Sequence, residues 1–133
     1  MSKTLHQYVN PNPLKKETGD CVFRACAVAT GKDWDTVYRE LFEIGFELKV
    51  PPNMKEAYES YLTSLGFDYK GISAKKGSKR PTVSQMAKLT KGNNKVIVCR
   101  VANHIVTVKG GRIMDTWDSG NCSLYGYWEK EEN

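Results

Sequence analysis

Residues 18–31 read TGDCVFRACAVATG, and this stretch decides the fold. An apolar run follows a Gly-Asp turn, so we predict a central helix that is covered on most sides. Thr18 or Asp20 is placed to cap its first N–H groups, and Gly31 to end it in the left-handed conformation. Cys21 then lies in the first helical turn, where the positive end of the helix dipole favours a thiolate. This pattern fits a nucleophilic cysteine, but it also fits a small buried hydrophobe.

Length and composition indicate one globular domain. The chain has 133 residues, 40% of them hydrophobic, with three Trp and seven Tyr, so we predict a single domain over 1–133. No run approaches the ~20 apolar residues of a membrane span, and residues 1–16 lack the apolar core of a signal peptide. We therefore expect a cytoplasmic protein without membrane contact. Four cysteines and two histidines without zinc-binding spacing lead us to expect free thiols, no metal and no cofactor.

The rest of the chain divides into a helical half and a strand-rich half. Residues 1–17 are polar and include Asn-Pro-Asn-Pro, which predicts an N-terminal arm. We predict further helices beginning at Asp33 and ending at Gly45, at about 54–65, and from a capping box at 82–85 to about Leu89. A short strand follows residue 66, and strands at 95–101, 104–109 and 112–117 form an antiparallel meander, onto which the tail at 122–128 packs. The predicted fold class is α+β, with the Cys-bearing helix packed on an antiparallel sheet.

The hairpin at Gly110-Gly111 places a histidine near a carboxylate. If these two glycines form the loop, side-chain alternation puts His104 and Asp115 on one face as diagonal neighbours. Asp118 would then point to the other face, and a slip of one residue would exchange the two carboxylates. With Cys21, these residues are the parts of a nucleophile, a base and a group that orients the base. A structural His–Asp hydrogen bond is the alternative interpretation.

In these segments the sequence resembles the papain-like cysteine peptidase superfamily. Gly19-Asp20-Cys21 and the following helix look like the Cys-bearing helix of that family, and the sequence NHIVTV at 103–108 looks like its Asn-His-Ala-Val strand. DTW at 115–117 is similar to the family's Asn-Ser-Trp segment, and GYW at 126–128 resembles the aromatic stretch after it. The similarity covers about residues 19–30 and 96–128. An Asp as third member and the short chain are closer to bacterial and phage branches, such as the peptidase domains that trim bacteriocin leaders.

The resemblance implies a small cysteine peptidase or amidase. It assigns Cys21 as nucleophile, His104 as base and then acid, and Asp115 as the group that orients the histidine. Trp117 would shield the His–Asp contact. The family also has a Gln shortly before the Cys as an oxyanion donor, where this chain has Lys15. Among the amides of Gln7, Asn10 and Asn12, we take Asn12, held between two prolines, as the candidate; it fits a simple turn residue equally well.

Two other functions stay open at this point. A protein or peptide substrate is the expected partner, but a catalytically weak member of the same fold would act as a protein-binding module. Lys and Arg are concentrated at 70–80, which permits nucleic-acid binding through this basic segment. We interpret the segment 75–80 as a solvated loop instead.

Overall fold

The computed structural model describes residues 4–72 and 79–131. Within these residues it contains four helices and a six-stranded sheet, a mixed α+β architecture. In chain order the elements are β1 (His6–Tyr8), α1 (Cys21–Thr30), α2 (Trp34–Leu48), α3 (Lys55–Ser64), β2 (Asp68–Gly71), α4 (Val83–Leu89), β3 (Lys95–Val101), β4 (His104–Lys109), β5 (Arg112–Asp115) and β6 (Gly126–Glu131). In the described part of the chain, no helix is both long and apolar enough to span a bilayer.

The sheet is antiparallel except at one edge. Its strand order is β1-β5-β4-β3-β6-β2, and β1 alone runs parallel to its neighbour β5. The meander β3-β4-β5 is confirmed. Lys109 pairs with Arg112 across Gly110-Gly111, both of which have positive φ, as a two-residue hairpin loop of this twist requires. The hairpin register assumed from the sequence is therefore correct.

Two apolar cores lie on opposite faces of the sheet, because side chains alternate along each strand. On β3, Val96 and Val98 pack with α1, α2 and α3, whereas Ile97, Cys99 and Val101 pack with α4. The first core takes in almost the whole of α1, as the apolar stretch predicted. Small alanines along this helix let it approach the sheet closely, and the buried hydroxyl of Thr107 on β4 donates to the carbonyl of Ala25 at 2.6 Å.

The predicted ends of the elements hold in most places. Gly31 ends α1 in the left-handed conformation, Asp33 caps α2 through the N–H of Thr36, and Thr82 and Gln85 form the predicted capping box.

Four boundary predictions were wrong. The second helix continues past Gly45 to Leu48, since the chain at 50–52 packs back against this glycine. The predicted arm contains β1, the tail contributes β6 between β3 and β2 rather than covering the sheet, and β5 ends at Asp115 rather than at residue 117. The three strand errors share one cause, because pairing partners far apart in sequence decide which extended segments become strands.

Candidate active site

Cys21 is the first residue of α1, and its half-buried side chain lines a cleft of about 520 Å³. The start of α1, the start of α3 and the turn between β3 and β4 form the walls of this cleft. Its lining residues are Gly19, Cys21, Val22, Asn53, Met54, Lys55, Tyr58, Arg100, Val101, Ala102, Asn103, His104, Ile105 and Tyr125. The partly exposed Cys21 side chain is therefore accessible from this cleft.

His104 connects the cysteine to a carboxylate. It is the first residue of β4, and its Nε2–H donates to Oδ2 of Asp115 at 2.6 Å. The side chains of His104 and Asp115 are only 8% and 4% exposed. Since Asp115 occupies Nε2, Nδ1 is the nitrogen left for Cys21, which lines the same cleft as His104 and whose pKa the imidazole lowers. The structure thus brings together the three residues that the sequence predicted for the triad.

Charges in this row of residues favour an ion pair between the sulfur and the imidazole. Burial alone would raise the pKa of Cys21, but the hydrogen bond and charge of His104 outweigh it, so this pKa lies below its ordinary value. Burial would likewise lower the pKa of His104, yet Asp115 and Cys21 together raise it to about 9. Both shifts therefore favour the thiolate and imidazolium form of the pair, which is the reactive form of such a site.

Arg24 is a residue of this candidate site that the sequence analysis missed. It lies one turn beyond Cys21 on α1, is buried, and bridges two carboxylates: its Nε contacts Asp20 at 2.9 Å and its Nη1 contacts Asp115. Nη1 also donates to the hydroxyl of Thr116 at 3.2 Å. Arg24 therefore fixes the carboxylate that orients His104. Its signal in the sequence was a single cation in an otherwise apolar helix, four residues after an aspartate.

Asp20 holds this network instead of capping the helix. It occupies the N-cap position but its side chain makes no capping bond, which corrects the expected capping role. Its carboxylate accepts from Arg24, from Nε1 of Trp34 at 3.0 Å and from Nδ2 of Asn12 at 3.2 Å. Asn12 is buried, and its Oδ1 accepts from the N–H of Leu14 at 3.0 Å. These contacts give Asn12 a positioning role; its role as oxyanion donor stays a prediction, without a contact that supports it.

Trp117 and Asp118 take different places around the triad. The Trp117 ring lies against the His104 ring, with centroids 4.6 Å apart, although the tryptophan is 45% exposed. It thus covers His104 from the solvent side, the position predicted for it. Asp118 accepts from the N–H of Gly120 at 2.9 Å, so it caps the turn that follows β5 and is not the carboxylate bound to His104.

The remaining cysteines are free thiols outside the triad. Cys26 and Cys99 are fully buried in the two cores; burial raises the pKa of Cys26 to about 12 and also raises the pKa of Cys99. Cys122 is half-buried and packs against the second core. In the described residues, 4–72 and 79–131, no three or more His, Cys, Asp or Glu side chains are grouped to hold a metal ion.

The predicted basic loop is described only in part. Lys75 and Lys76 lie outside the described residues, whereas Lys79 is exposed. Arg80 is half-buried, with its guanidinium 5.0 Å from the ring of Tyr125 on the cleft wall. The prediction of a solvated loop is therefore wrong for Arg80.

Comparison with known proteins adds nothing to this picture, since no protein-family model, no curated protein and no solved structure matches the chain. The chemistry of the site must be inferred from its own residues.

Proposed function

We propose that this chain is a papain-like cysteine hydrolase, a peptidase or amidase that cleaves a peptide or isopeptide bond. The observation that carries the proposal is that Cys21 and His104 line one open cleft, where His104 is hydrogen-bonded to Asp115. A structural His–Asp pair would not need a thiol with a lowered pKa on the free nitrogen of the histidine.

The groups suit acyl transfer through a thioester. The Cys21 thiolate attacks the substrate carbonyl carbon, and the C=O π electrons move onto the oxygen. When the tetrahedral intermediate collapses, the C–N bond breaks and the His104 imidazolium gives its proton to the leaving amine. The neutral imidazole then takes a proton from water, whose oxygen attacks the thioester, and Cys21 leaves as thiolate with the carboxylic acid product. Asp115 stabilises the imidazolium during both half-reactions.

The first turn of α1 supplies groups for the oxyanion. The first N–H groups of a helix have no acceptor within it, and the side chain of Asp20 does not cap them. The N–H of Cys21 and the positive end of the helix dipole are therefore placed next to the nucleophile, where they would stabilise negative charge on the carbonyl oxygen. The Asp20 carboxylate instead accepts hydrogen bonds from Arg24, Trp34 and Asn12, which leaves these N–H groups free of it.

The proposal is tested by peptide cleavage and thiol labelling together. The parent, Cys21→Ala, His104→Ala and the matched control Cys122→Ala are incubated with a peptide library, and new termini are read by mass spectrometry. We expect cleavage by the parent and Cys122→Ala alone. At pH 6 iodoacetamide should label Cys21 first, with the other thiols slower. Slow labelling of Cys21, or equal cleavage by Cys21→Ala, would contradict the proposal.

A protein-binding module is the second candidate, and the contacts of Asn12 favour it. Because Nδ2 of Asn12 donates to Asp20, the side-chain donor that the family resemblance implies has no contact in support. Losing one oxyanion donor costs about 10²–10³ in rate. Rapid labelling of Cys21 without any cleavage would select this candidate.

A further inference from the structure

Apart from the Cys21 sulfur, the charged lining of the cleft is basic. Within the part of the chain that the structure describes, the charged side chains on its walls are Lys55, Arg100 and His104, and no Asp or Glu lines it. The proposed reaction uses His104. Lys55 and Arg100 are thus the charges that a bound substrate would meet in addition.

Of these two cations, Arg100 is the one whose charge is less offset by a neighbouring carboxylate. Lys55 lies 3.9 Å from the Glu59 carboxylate, which partly neutralises it. Arg100 is half-buried on β3, and no ion pair found among the described residues includes it. It lines the same cleft as Tyr58, and its charge acts to lower the pKa of the Tyr58 hydroxyl against the effect of burial. A guanidinium has five N–H donors in a planar fork that matches a carboxylate, so Arg100 has donors left for an anion in the cleft.

Two tyrosines complete the surroundings of Arg100. Burial raises the pKa of Tyr58 to about 12, so its hydroxyl keeps its proton. Tyr58 lines the cleft beside Arg100, and its protonated hydroxyl is a donor that a bound ligand can use. The Tyr125 ring lies 5.4 Å from the guanidinium of Arg100 and 5.0 Å from that of Arg80. Nε of Arg80 is itself buried without a hydrogen-bond partner in the described structure.

From this arrangement we propose that Arg100 and Tyr58 form a subsite that binds an acidic side chain of a peptide substrate, next to the bond that Cys21 attacks. The inference rests on the proposed function and names its substrate class. A carboxylate would accept from the Arg100 fork and from the Tyr58 hydroxyl, in a cleft wall with Tyr125 beside it. A nucleic acid is disfavoured, because a polyanion needs a track of several exposed cations, whereas the described lining of the cleft offers one half-buried guanidinium and one lysine that lies beside Glu59.

The test uses hexapeptides whose central linkage is an α,β-unsaturated amide. The Cys21 thiolate adds to the β-carbon of this trap, and a proton adds to the α-carbon. Residues on both sides of the trap thus occupy the cleft. Glu, Gln or Lys is placed at each position in turn, and the second-order rate of Cys21 modification is measured by intact mass. The proteins are the parent, Arg100→Gln, Arg100→Lys, Tyr58→Phe and the control Arg39→Gln, an exposed arginine outside the cleft.

With the parent, we expect peptides that carry Glu at one position or more to modify Cys21 about ten-fold faster than peptides that carry Gln there. A ten-fold difference is what one charge-assisted hydrogen bond provides. Arg100→Gln should bring the Glu/Gln ratio to about one, Arg100→Lys and Tyr58→Phe should retain part of it, and Arg39→Gln should leave it unchanged. The iodoacetamide rate should be similar in all five proteins, which shows that the thiol and the fold are intact.

Other outcomes separate the two proposals. Equal Glu and Gln rates at every position, with rapid iodoacetamide labelling, would overturn the acidic subsite and leave the hydrolase standing. Failure of iodoacetamide to label Cys21 in the parent would overturn both. Protection of Cys21 by a single-stranded oligonucleotide, in an Arg100-dependent manner and without a preference for Glu, would replace the acidic peptide by a nucleic acid.

Discussion

Removal of the Asp115 carboxylate should weaken the thiolate of Cys21 through His104. The pKa of His104 is raised from 6.5 to about 9, and the hydrogen bond that its Nε2–H donates to Asp115 is the largest cause of the rise. Each pKa unit corresponds to about 1.4 kcal/mol, and a hydrogen bond to a charged group is worth about 1.5–3 kcal/mol. Asp115→Ala should thus lower the pKa of His104 by one to two units.

The effect reaches the sulfur because the imidazolium stabilises the thiolate. With a less basic His104, the pKa of Cys21 rises, and the fraction of thiolate at pH 6 falls. We expect alkylation at pH 6 to slow by about ten-fold or more, since one pKa unit is a factor of ten. Asp115→Asn keeps an oxygen that can accept from Nε2–H but removes the charge, so its rate should lie between Ala and the parent.

The same substitution should also destabilise the fold. Arg24 would lose one of its two carboxylates in a buried place, and breaking a buried ion pair costs roughly 3–5 kcal/mol. Because Asp20 stays bound to Arg24, we expect about 3 kcal/mol, measured by urea unfolding. The alkylation experiments on Asp115→Ala therefore need a urea-free buffer and a temperature well below the melting point of this variant.

Alkylation of Cys21 by iodoacetamide is measured from pH 4 to pH 10 by peptide mass spectrometry. The matched control is Asp118→Ala, which removes a carboxylate that only caps the next turn. A shift of the pH profile by Asp118→Ala, with the profile of Asp115→Ala unchanged, would contradict the role of Asp115 as the carboxylate that acts on His104.

Three further predictions concern pH, the aromatic cover and a buried glycine. Between pH 6.5 and 9 the folded thiolate–imidazolium pair binds one proton, and so do the unfolded thiol and imidazole together, so this pair should add little pH dependence to the stability of the parent. In Cys21→Ala the pKa of His104 is still raised by Asp115, so the stability of this variant in urea should fall relative to the parent as the pH rises above 6.5. Trp117→Ala should slow alkylation at pH 6 several-fold by admitting water to the His104 contact, with a change in melting temperature of only a few degrees because the ring is half-exposed; an unchanged rate would mean that the ring does not shield it. Gly45→Ala should cost about 1–3 kcal/mol in urea unfolding, because a Cβ there would lie 2.7 Å from the carbonyl oxygen of Val50, and a stability equal to the parent would contradict this close approach.

Local sequence determined much of this protein. The apolar run after Cys21 predicted α1, and the capping box and glycines predicted where helices begin and end, since these signals act within a few residues. The loop Gly110-Gly111 set the hairpin register, and side-chain alternation then selected Asp115 over Asp118. The amino-acid sequence alone therefore predicted the parts of the triad, because each is fixed by short-range geometry.

Tertiary structure decided how those parts are held. The arm became β1 and the tail became β6 because pairing partners far along the chain supplied their hydrogen bonds, and no local pattern encodes such partners. Arg24 bridges Asp20 and Asp115, and 91 residues separate Arg24 from Asp115 in the sequence. The charge of the cleft likewise depends on where β3 places Arg100. Burial gives these contacts their strength, and burial exists only once the helix and the sheet have packed together.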